Sequence, residues 1–323
     1  MSVEATLPAQ TDTAFTTRTA DQNRKRKPMT ARDKRNLRLG LAFIAPWALG
    51  FVAFVIYPIV YSFILSLTRY TGLGKPIFLG FDNYSRMIRD PLAQQATRNT
   101  LFYAGLAVPI GLVIAVILAL AMNTRVREVA IYRTALYLPS LVPIFALSFI
   151  FIVLVNPQFG LFNRLLGVFG ASNTDLLGAP TTAKLVIVAM AQLGAGNAAL
   201  IFVAGLNTIP ESIYEAARID GAGTFARFFR ITLPLLSPAI LFNLITGISG
   251  SLQVFAQAYI MTNGGPNNGT LFYMYYLYKT AFSYAQLGYA SALAIGLFLV
   301  GLALAVVVYT LSRRFVNYDV ATG

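Results

Sequence analysis

Residues 211–238 read ESIYEAARIDGAGTFARFFRITLPLLSP, a polar and charged segment between two long apolar runs. Pro210 suits the start of a helix, because its missing N–H has no intrahelical partner there, and strong helix formers follow it. The glycines within 221–223 predict the end of this helix, and a second short helix is expected over 224–233, ending at Pro234. The segment therefore predicts two short helices at an angle, joined to membrane spans on both sides, that a soluble partner can grip.

The composition is typical of a polytopic membrane protein. Hydrophobic residues make up 57% of the 323 residues, charged residues make up 11%, and the mean hydropathy is +0.65. The chain has no Cys and no His, so it lacks thiolate chemistry, the commonest general base and the commonest metal ligand. No GxxxxGK[ST] phosphate loop occurs either. We therefore expect no catalytic site, no metal site and no ATP site in this chain.

Six apolar segments are long enough to span a membrane, which predicts an all-α, polytopic fold. A basic and mostly disordered tail is expected before them, and a short tail after them. The predicted spans lie at about 39–67, 98–122, 134–155, 184–206, 235–260 and 289–311. The corresponding domains are the tail at 1–38, the six-span membrane region at 39–314 and the C-terminal tail at 315–323. A short amphipathic helix at the membrane surface is expected within 159–170.

The basic residues predict the orientation. Of the 25 Lys and Arg residues, 17 lie in the N-terminal tail, the loop after the second span, the 211–238 segment and the C-terminal tail. The positive-inside rule places these segments and both termini in the cytoplasm. The net charge of +13 thus follows from topology and gives no reason to expect nucleic-acid binding.

Several motifs resemble a known family. EAARIDGAG at 215–223, followed by ITLPLLSP at 231–238, resembles the EAA loop of ABC importer membrane subunits, in particular the maltose-type and glycerol-phosphate-type carbohydrate permeases. YLPSLVP at 137–143 and TNGGPNNGT at 262–270 are similar to that family as well. The resemblance implies a cytoplasmic coupling helix between the fourth and fifth spans. By this resemblance, the residues that couple the chain to an ATPase are Glu215, Ala216, Ala217, Asp220, Gly221, Ala222, Gly223 and Pro234.

The same resemblance implies the partners. Six spans make half of a translocation path in this family, so we expect a second homologous permease subunit, an ATPase subunit dimer that uses ATP and Mg, and an external solute-binding protein. The complex would lie in the lipid bilayer of a bacterial or archaeal cytoplasmic (inner) membrane. This chain would be a non-catalytic subunit that binds no cofactor. Contact with the binding protein is expected at Asn263, Gly264, Gly265, Pro266 and Asn267.

Neutral polar side chains in the fourth and fifth spans are candidates for the solute path. A buried hydroxyl without a partner costs roughly 2 to 7 kcal/mol, so a sugar needs walls that can form hydrogen bonds. The uncharged polar candidates within these spans include Gln192, Asn197, Asn243, Ser251 and Gln253. Counted from the coupling motif, the family resemblance implies solute contacts at positions that include Gly194, Asn197, Gly247, Ser251 and Val254. The same polar residues can instead hold neighbouring helices together. Several positions lack the bulky polar or aromatic groups of the maltose type, so the resemblance does not imply which sugar is carried.

Alternatives to a carbohydrate importer stay open. The outer segments carry eight basic residues but only three acidic residues, Asp82, Asp90 and Asp175. This positive excess is compatible with the anionic solute of a glycerol-phosphate-type permease. A secondary carrier is disfavoured, because no Asp or Glu lies near the centre of any predicted span. A membrane enzyme is disfavoured by the absence of His and Cys and the few acids.

Overall fold

Helices form most of the computed structural model, which describes residues 30–124, 129–168, 170 and 174–312. Most of the predicted N-terminal tail (1–29), the basic loop residues 125–128 and the chain end (313–323) lie outside the described residues. The described chain divides into two units, Met1–Pro58 and Ile59–Gly323.

The first helical stretch consists of α1 (Ala31–Phe51), a π-helical segment (Val52–Ile56) and α2 (Tyr57–Ser66). It begins within the predicted tail, before the expected start of the first span at residue 39. Most of its large apolar side chains are exposed, Phe43 and Phe54 among them, whereas Leu65 near its end is buried. A helix that is apolar all round suits hydrocarbon surroundings.

The second unit contains the remaining elements. Its strands, β1 (Thr68–Arg69) and β2 (Ile77–Phe78), pair antiparallel with Thr68 opposite Phe78. Its helices are α3 (Asp82–Arg89), α4 (Pro91–Met122), α5 (Val129–Tyr137), α6 (Ile144–Leu154), α7 (Leu161–Val168), α8 (Pro180–Ala191), α9 (Ala195–Asn207), α10 (Glu211–Ile219), α11 (Thr224–Arg227), α12 (Leu233–Leu235), α13 (Ser237–Ser251), α14 (Ala256–Met261), α15 (Tyr273–Tyr278) and α16 (Leu287–Ser312). Short 3₁₀ segments span Leu138–Leu141 and Gln192–Gly194, and π-helical segments span Phe228–Thr232 and Lys279–Ser283.

Several helical stretches are long and apolar enough to cross a membrane. Four are unbroken or nearly straight: Lys34–Ser66, Pro91–Met122, Pro180–Asn207 and Leu287–Ser312. Two more are bent pairs: Ala130–Leu141 with Ile144–Leu154 at 90°, and Thr224–Leu235 with Ser237–Ser251 at 64°. The described residues thus hold four candidate spans, and up to six if each bent pair is one span. The predicted helical membrane fold is confirmed, and the predicted count of six is the upper value of this range.

The third predicted span is not a single helix. Pro139 lies in the first turn of the 3₁₀ segment, and Pro143 has extended backbone angles immediately before α6. Each proline disfavours helical geometry in the residue before it, which explains why the chain turns by 90° here. The YLPSLVP motif therefore forms the bend itself.

The fifth predicted span was expected to continue to residue 260, but α13 ends at Ser251. Phe255 has φ −136° and ψ −61°, outside helical geometry, and α14 begins only after it. The last turns of α13 contain Gly247, Gly250 and two serines, all weak helix formers, so tertiary packing decides where the helix stops.

Two helix ends also differ from the prediction. The helical stretch after 224 passes Pro234 and reaches Leu235, because a π-helical segment precedes α12 and places Pro234 in the first turn of α12, where a proline is tolerated. The second span begins at Pro91 instead of residue 98. The Asp90 carboxylate accepts a hydrogen bond from the Leu92 N–H at 2.9 Å and so caps α4.

The long helix α4 is central to the second unit and packs against α8, α9, α13 and α15. Ala115, Ala119 and Ala199 are fully buried between α4 and α9, and such small side chains allow two helix backbones to approach closely. Nearer the start of α4, the Tyr103 ring meets the Phe272 ring edge to face. α4 thus packs at one end against the cluster that supports Tyr214 of α10, and at the other end against the segment that precedes α15.

Candidate functional site

Residues 211–236 connect α9 to α13 and are called the knob below. Gly221 ends α10 with φ +77°, a backbone conformation that glycine adopts at no steric cost. Its N–H donates to the Arg218 carbonyl at 3.1 Å, and the Ala222 N–H donates to the Ala217 carbonyl at 2.8 Å. These two bonds form a Schellman motif, which satisfies the final carbonyls of α10. The predicted end of this helix at the glycines is therefore confirmed.

The knob has an anchored face and an exposed face. On the anchored face, the Tyr214 and Thr232 hydroxyls are hydrogen-bonded at 2.9 Å, and Tyr214 and Phe228 pack on the buried cluster that contains Leu236. On the other face, Ile219 is 86% exposed and Phe225 is 82% exposed. Two large apolar side chains at this level of exposure mark a surface suited to a protein partner.

The residues predicted for coupling all lie on this one knob. Five are exposed: Glu215, Ala216, Asp220, Gly221 and Gly223. Ala217, Ala222 and Pro234 are half-buried. Within the described residues, Glu215 forms no ion pair with Arg218, so its carboxylate is open to solvent. A recess of about 570 Å³ lies between the knob and α4 and is lined in part by Phe225, Phe228 and Thr232, but by none of the predicted coupling residues.

A second candidate site is a cavity of about 240 Å³ between α4, the α8–α9 stretch and α13, called the central cavity below. It contains five of the eight residues predicted for the solute path: Gln192, Gly194, Asn243, Gly247 and Ser251. Asn197 and Gln253 are exposed and Val254 is buried in the main apolar cluster, so these three lie outside the central cavity.

The hydrogen bonds of its polar residues stay within their own helices. The Gln192 side-chain N–H donates to the Val188 carbonyl at 2.7 Å, and the Ser251 hydroxyl donates to the Ile248 carbonyl at 2.7 Å. Asn243 donates likewise to its own helix. Such bonds do not join neighbouring helices, which was the alternative role for these residues.

One acceptor oxygen at the central cavity is left without a partner. Gln192 Oε1 is buried and has no hydrogen-bond partner in the described part of the chain. The absence of a side chain at Gly111 leaves room for it, since a Cβ there would lie 3.2 Å from this oxygen. An unpaired acceptor at this position suits a ligand that brings a hydroxyl donor.

α4 contributes five residues to the central cavity that the sequence did not indicate. They are Tyr103, Ala107, Val108, Gly111 and Leu112. None of them interrupts the apolar pattern of a membrane span, so only the packing of α4 against α9 and α13 identifies them.

The loop predicted to contact a binding protein is held firmly on α4. Asn99 donates to the carbonyls of Asn268 at 2.8 Å and Leu271 at 3.1 Å. Asn263 and Asn267 are exposed, whereas Gly264 is buried and the two residues after it are half-buried. The loop therefore presents only part of its predicted contact surface.

Asp90 joins three helices at the start of α4. Its carboxylate accepts hydrogen bonds from the hydroxyls of Tyr276 and Tyr289, and the Arg86 guanidinium lies 4.1 Å from the centre of the Tyr289 ring. Burial favours a higher pKa for the Asp90 carboxyl, but the bonds from both tyrosines and from the backbone of Leu92 hold it below its ordinary value of 3.8. From the sequence, Asp90 was counted only among the acidic residues of the outer segments, although Asp followed by Pro is a recognisable helix start.

Comparison with known proteins gives consistent matches. Residues 107–317 match the family described as the binding-protein-dependent transport system inner membrane component. The chain is 38% identical over 285 residues to YesP, a probable ABC transporter permease protein of Bacillus subtilis, with 87% of this chain and 92% of YesP covered. It is 36% identical over 252 residues to LacF, the lactose transport system permease protein of Rhizobium radiobacter, with 76% and 84% covered.

Among solved structures, the chain is similar to one chain of a bacterial ABC transporter involved in the import of the acidic polysaccharide alginate. The TM-score is 0.77, and the match covers 88% of this chain and 99% of that chain. The sequence identity is 23%, so the likeness concerns the fold.

Proposed function

This chain belongs to the family of inner membrane components of binding-protein-dependent transport systems, and we propose that it forms half of the translocation path for a carbohydrate. A second, homologous permease subunit would supply the other half. The observation that carries this proposal is the central cavity. Among the described residues, its lining includes the polar side chains of Gln192, Asn243 and Ser251 and no Asp, Glu, Lys or Arg. Such walls suit a solute with many hydroxyl groups.

The relatives narrow the solute class. LacF is named for lactose, and the structurally similar transporter imports alginate. One of these solutes is a neutral sugar and the other an acidic polysaccharide. A neutral or acidic oligosaccharide is therefore the solute we propose, with Asn197, Gln253 and Val254 as further positions on its path outside the central cavity.

The knob is the proposed coupling element. Its exposed Ile219 and Phe225 would dock on one subunit of an ATPase dimer, which would bind and hydrolyse ATP with Mg, so that this chain binds no cofactor and is not itself an enzyme. α13 begins directly after the knob and carries Asn243, Gly247 and Ser251 to the cavity. A displacement of the knob would therefore move one wall of the central cavity.

The orientation completes the proposal. The excess of Lys and Arg on one side supports a cytoplasmic knob and cytoplasmic termini. The loop of Asn263 to Asn267 would then lie outside, where a solute-binding protein can contact its exposed residues. Its attachment to α4 through Asn99 supports a fixed docking position.

The test is purification of the tagged protein from native membranes in mild detergent, with mass spectrometry of the retained chains. We expect an ATPase and a second permease. Serine at both Ile219 and Phe225 should reduce ATPase recovery by more than about tenfold and leave the second permease bound, because each apolar side chain contributes about 1.5–3 kcal/mol when buried.

Phe81→Ser is the matched control, since Phe81 is 72% exposed but lies immediately before α3, far from the knob in the chain. It should leave ATPase recovery unchanged. Recovery of the chain alone in several mild detergents would contradict the proposed complex. Full ATPase recovery with the double serine variant would contradict the role of the knob.

A further inference from the structure

A separate crevice of about 370 Å³ lies between α3, α4 and α16, near the Pro91 end of α4. Its walls are mostly apolar and include Ile88, Leu101, Leu297 and Val300. Ile88, Leu101 and Val300 are exposed, so the crevice is open at the side of the helices. Gly296 shapes its floor, because a Cβ at this position would lie 2.9 Å from the Met87 sulfur.

Arg98 is the one charged residue in this lining. It lies seven residues after Pro91, about 10 Å along α4 at 1.5 Å per residue. Its side chain is exposed and has neither a hydrogen bond nor an ion pair within the described ranges. Arg98 therefore offers an unpaired cation beside apolar walls, and an anionic group is its favourable partner.

The neighbouring polar groups do not supply that anion. Gln94 donates its side-chain N–H to the Ile88 carbonyl at 2.8 Å, and Thr97 donates its hydroxyl to the Ala93 carbonyl at 2.7 Å. Both side chains are engaged locally and neither carries charge. The occupant must therefore bring a negative group to Arg98 and hydrocarbon to the remaining walls.

We propose that this crevice binds an anionic phospholipid of the leaflet that surrounds the Pro91 end of α4. The phosphate pairs with Arg98, and an acyl chain lies between α3 and α16. The apolar walls accommodate the acyl chain of either lipid. The net charge of the head group sets the preference, because the choline cation of phosphatidylcholine offsets its phosphate and the head group of phosphatidylglycerol has no such cation. The inference is separate from the proposed solute, because the central cavity is lined by different residues.

The experiment uses the full-length protein with the partners that co-purify, exchanged into detergent and titrated with phosphatidylglycerol or phosphatidylcholine. Native mass spectrometry counts the bound lipids. We expect a preference for phosphatidylglycerol of about tenfold, the size of one charge-assisted pair. Arg98→Gln should abolish this preference, Arg98→Lys should retain most of it, and Val300→Trp should reduce binding of both lipids by filling the crevice.

Arg89→Gln is the control for net charge, because Arg89 does not line the crevice, and it should keep the preference. Unchanged elution and thermal unfolding show that each variant is folded. Equal binding of the two lipids, or a preference that survives Arg98→Gln, would overturn the proposal. Full displacement of phosphatidylglycerol by inorganic phosphate at the same concentration would also overturn it, since the apolar walls would then contribute nothing.

Discussion

Asp90 shows how one side chain connects elements that are far apart in the chain. It caps α4 through the Leu92 N–H and also accepts bonds from Tyr276 on α15 and Tyr289 on α16. Its carboxylate thus fixes the corner where α3 ends and α4 begins. The tyrosine partners lie 186 and 199 residues away, so the sequence gives no local signal for them.

We expect Asp90→Asn to lower the free energy of unfolding by about 1–3 kcal/mol at pH 7, because the carboxylate accepts several charge-assisted hydrogen bonds. The pKa of Asp90 is lowered on folding, so its contribution is present above the ordinary value of 3.8 and is lost as pH falls through the folded value. The difference between the native protein and the variant should therefore shrink below about pH 4. Thermal unfolding of the purified protein from pH 7 to pH 3 measures this difference.

Asp82→Asn is the matched control. Asp82 is exposed in the first turn of α3 and forms no hydrogen bond with any described residue. It should leave the unfolding temperature nearly unchanged across the same pH range. A constant difference between the Asp90 variant and the native protein down to pH 3 would contradict the role of the ionised carboxylate.

At the scale of elements, Gly221 is the position where sequence and structure agree most closely. Glycines after a run of helix formers predicted the end of α10, and the structure has the Schellman bonds and positive φ there. Local chemistry alone determines such an end. By contrast, the bend before α6 and the end of α13 at Ser251 depend on prolines, weak helix formers and packing acting together, which an apolar pattern does not reveal.

Gly221→Val should uncouple ATP hydrolysis by the partner from transport, because it changes the geometry of the knob. A β-branched residue at φ +77° costs at least about 1–2 kcal/mol, so the chain will leave this conformation and redirect α11 relative to α10. We expect ATP-dependent oligosaccharide uptake by reconstituted complex to fall more than about tenfold, while the amount of protein in the membrane stays normal.

Gly223→Ala provides the comparison. Gly223 has φ −67°, and a Cβ there would meet no heavy atom within 4 Å. This variant should transport at nearly the native rate. If the Gly221 variant also transports normally, the geometry of this turn is not needed for coupling.

At the scale of the whole molecule, the central cavity exists only because three separated stretches of chain meet. The sequence identified the polar residues on α8–α9 and α13, since polar groups within apolar spans are conspicuous. It did not identify Tyr103, Val108 or Gly111, which look like ordinary residues of a membrane helix. It also grouped Gln253 and Val254 with the cavity residues. Gln253 was included as a polar residue of a span expected to reach residue 260, and Val254 was included because the family resemblance implied a solute contact there.

Substitution of two serines on α13 distinguishes a role in lining the cavity from a role in stabilising the helix. Ser251 lines the central cavity and is buried, whereas Ser249 is exposed and does not line it. Each hydroxyl donates to a carbonyl of its own helix, at 2.7 Å for Ser251 and 2.9 Å for Ser249. Substitution by alanine therefore removes a similar intrahelical bond at both positions, and only Ser251→Ala removes an acceptor from the cavity.

We expect Ser251→Ala to raise the half-saturating solute concentration for ATP-dependent uptake by about three- to tenfold, the effect of one lost hydrogen bond of roughly 0.5–1.5 kcal/mol. Ser249→Ala should leave it unchanged. The measurement is uptake of labelled oligosaccharides by proteoliposomes that contain the complete complex and its binding protein. Equal effects of the two substitutions would mean that the hydroxyl acts on α13 itself, and the carbohydrate path would then have to lie along other residues, beginning with exposed Asn197.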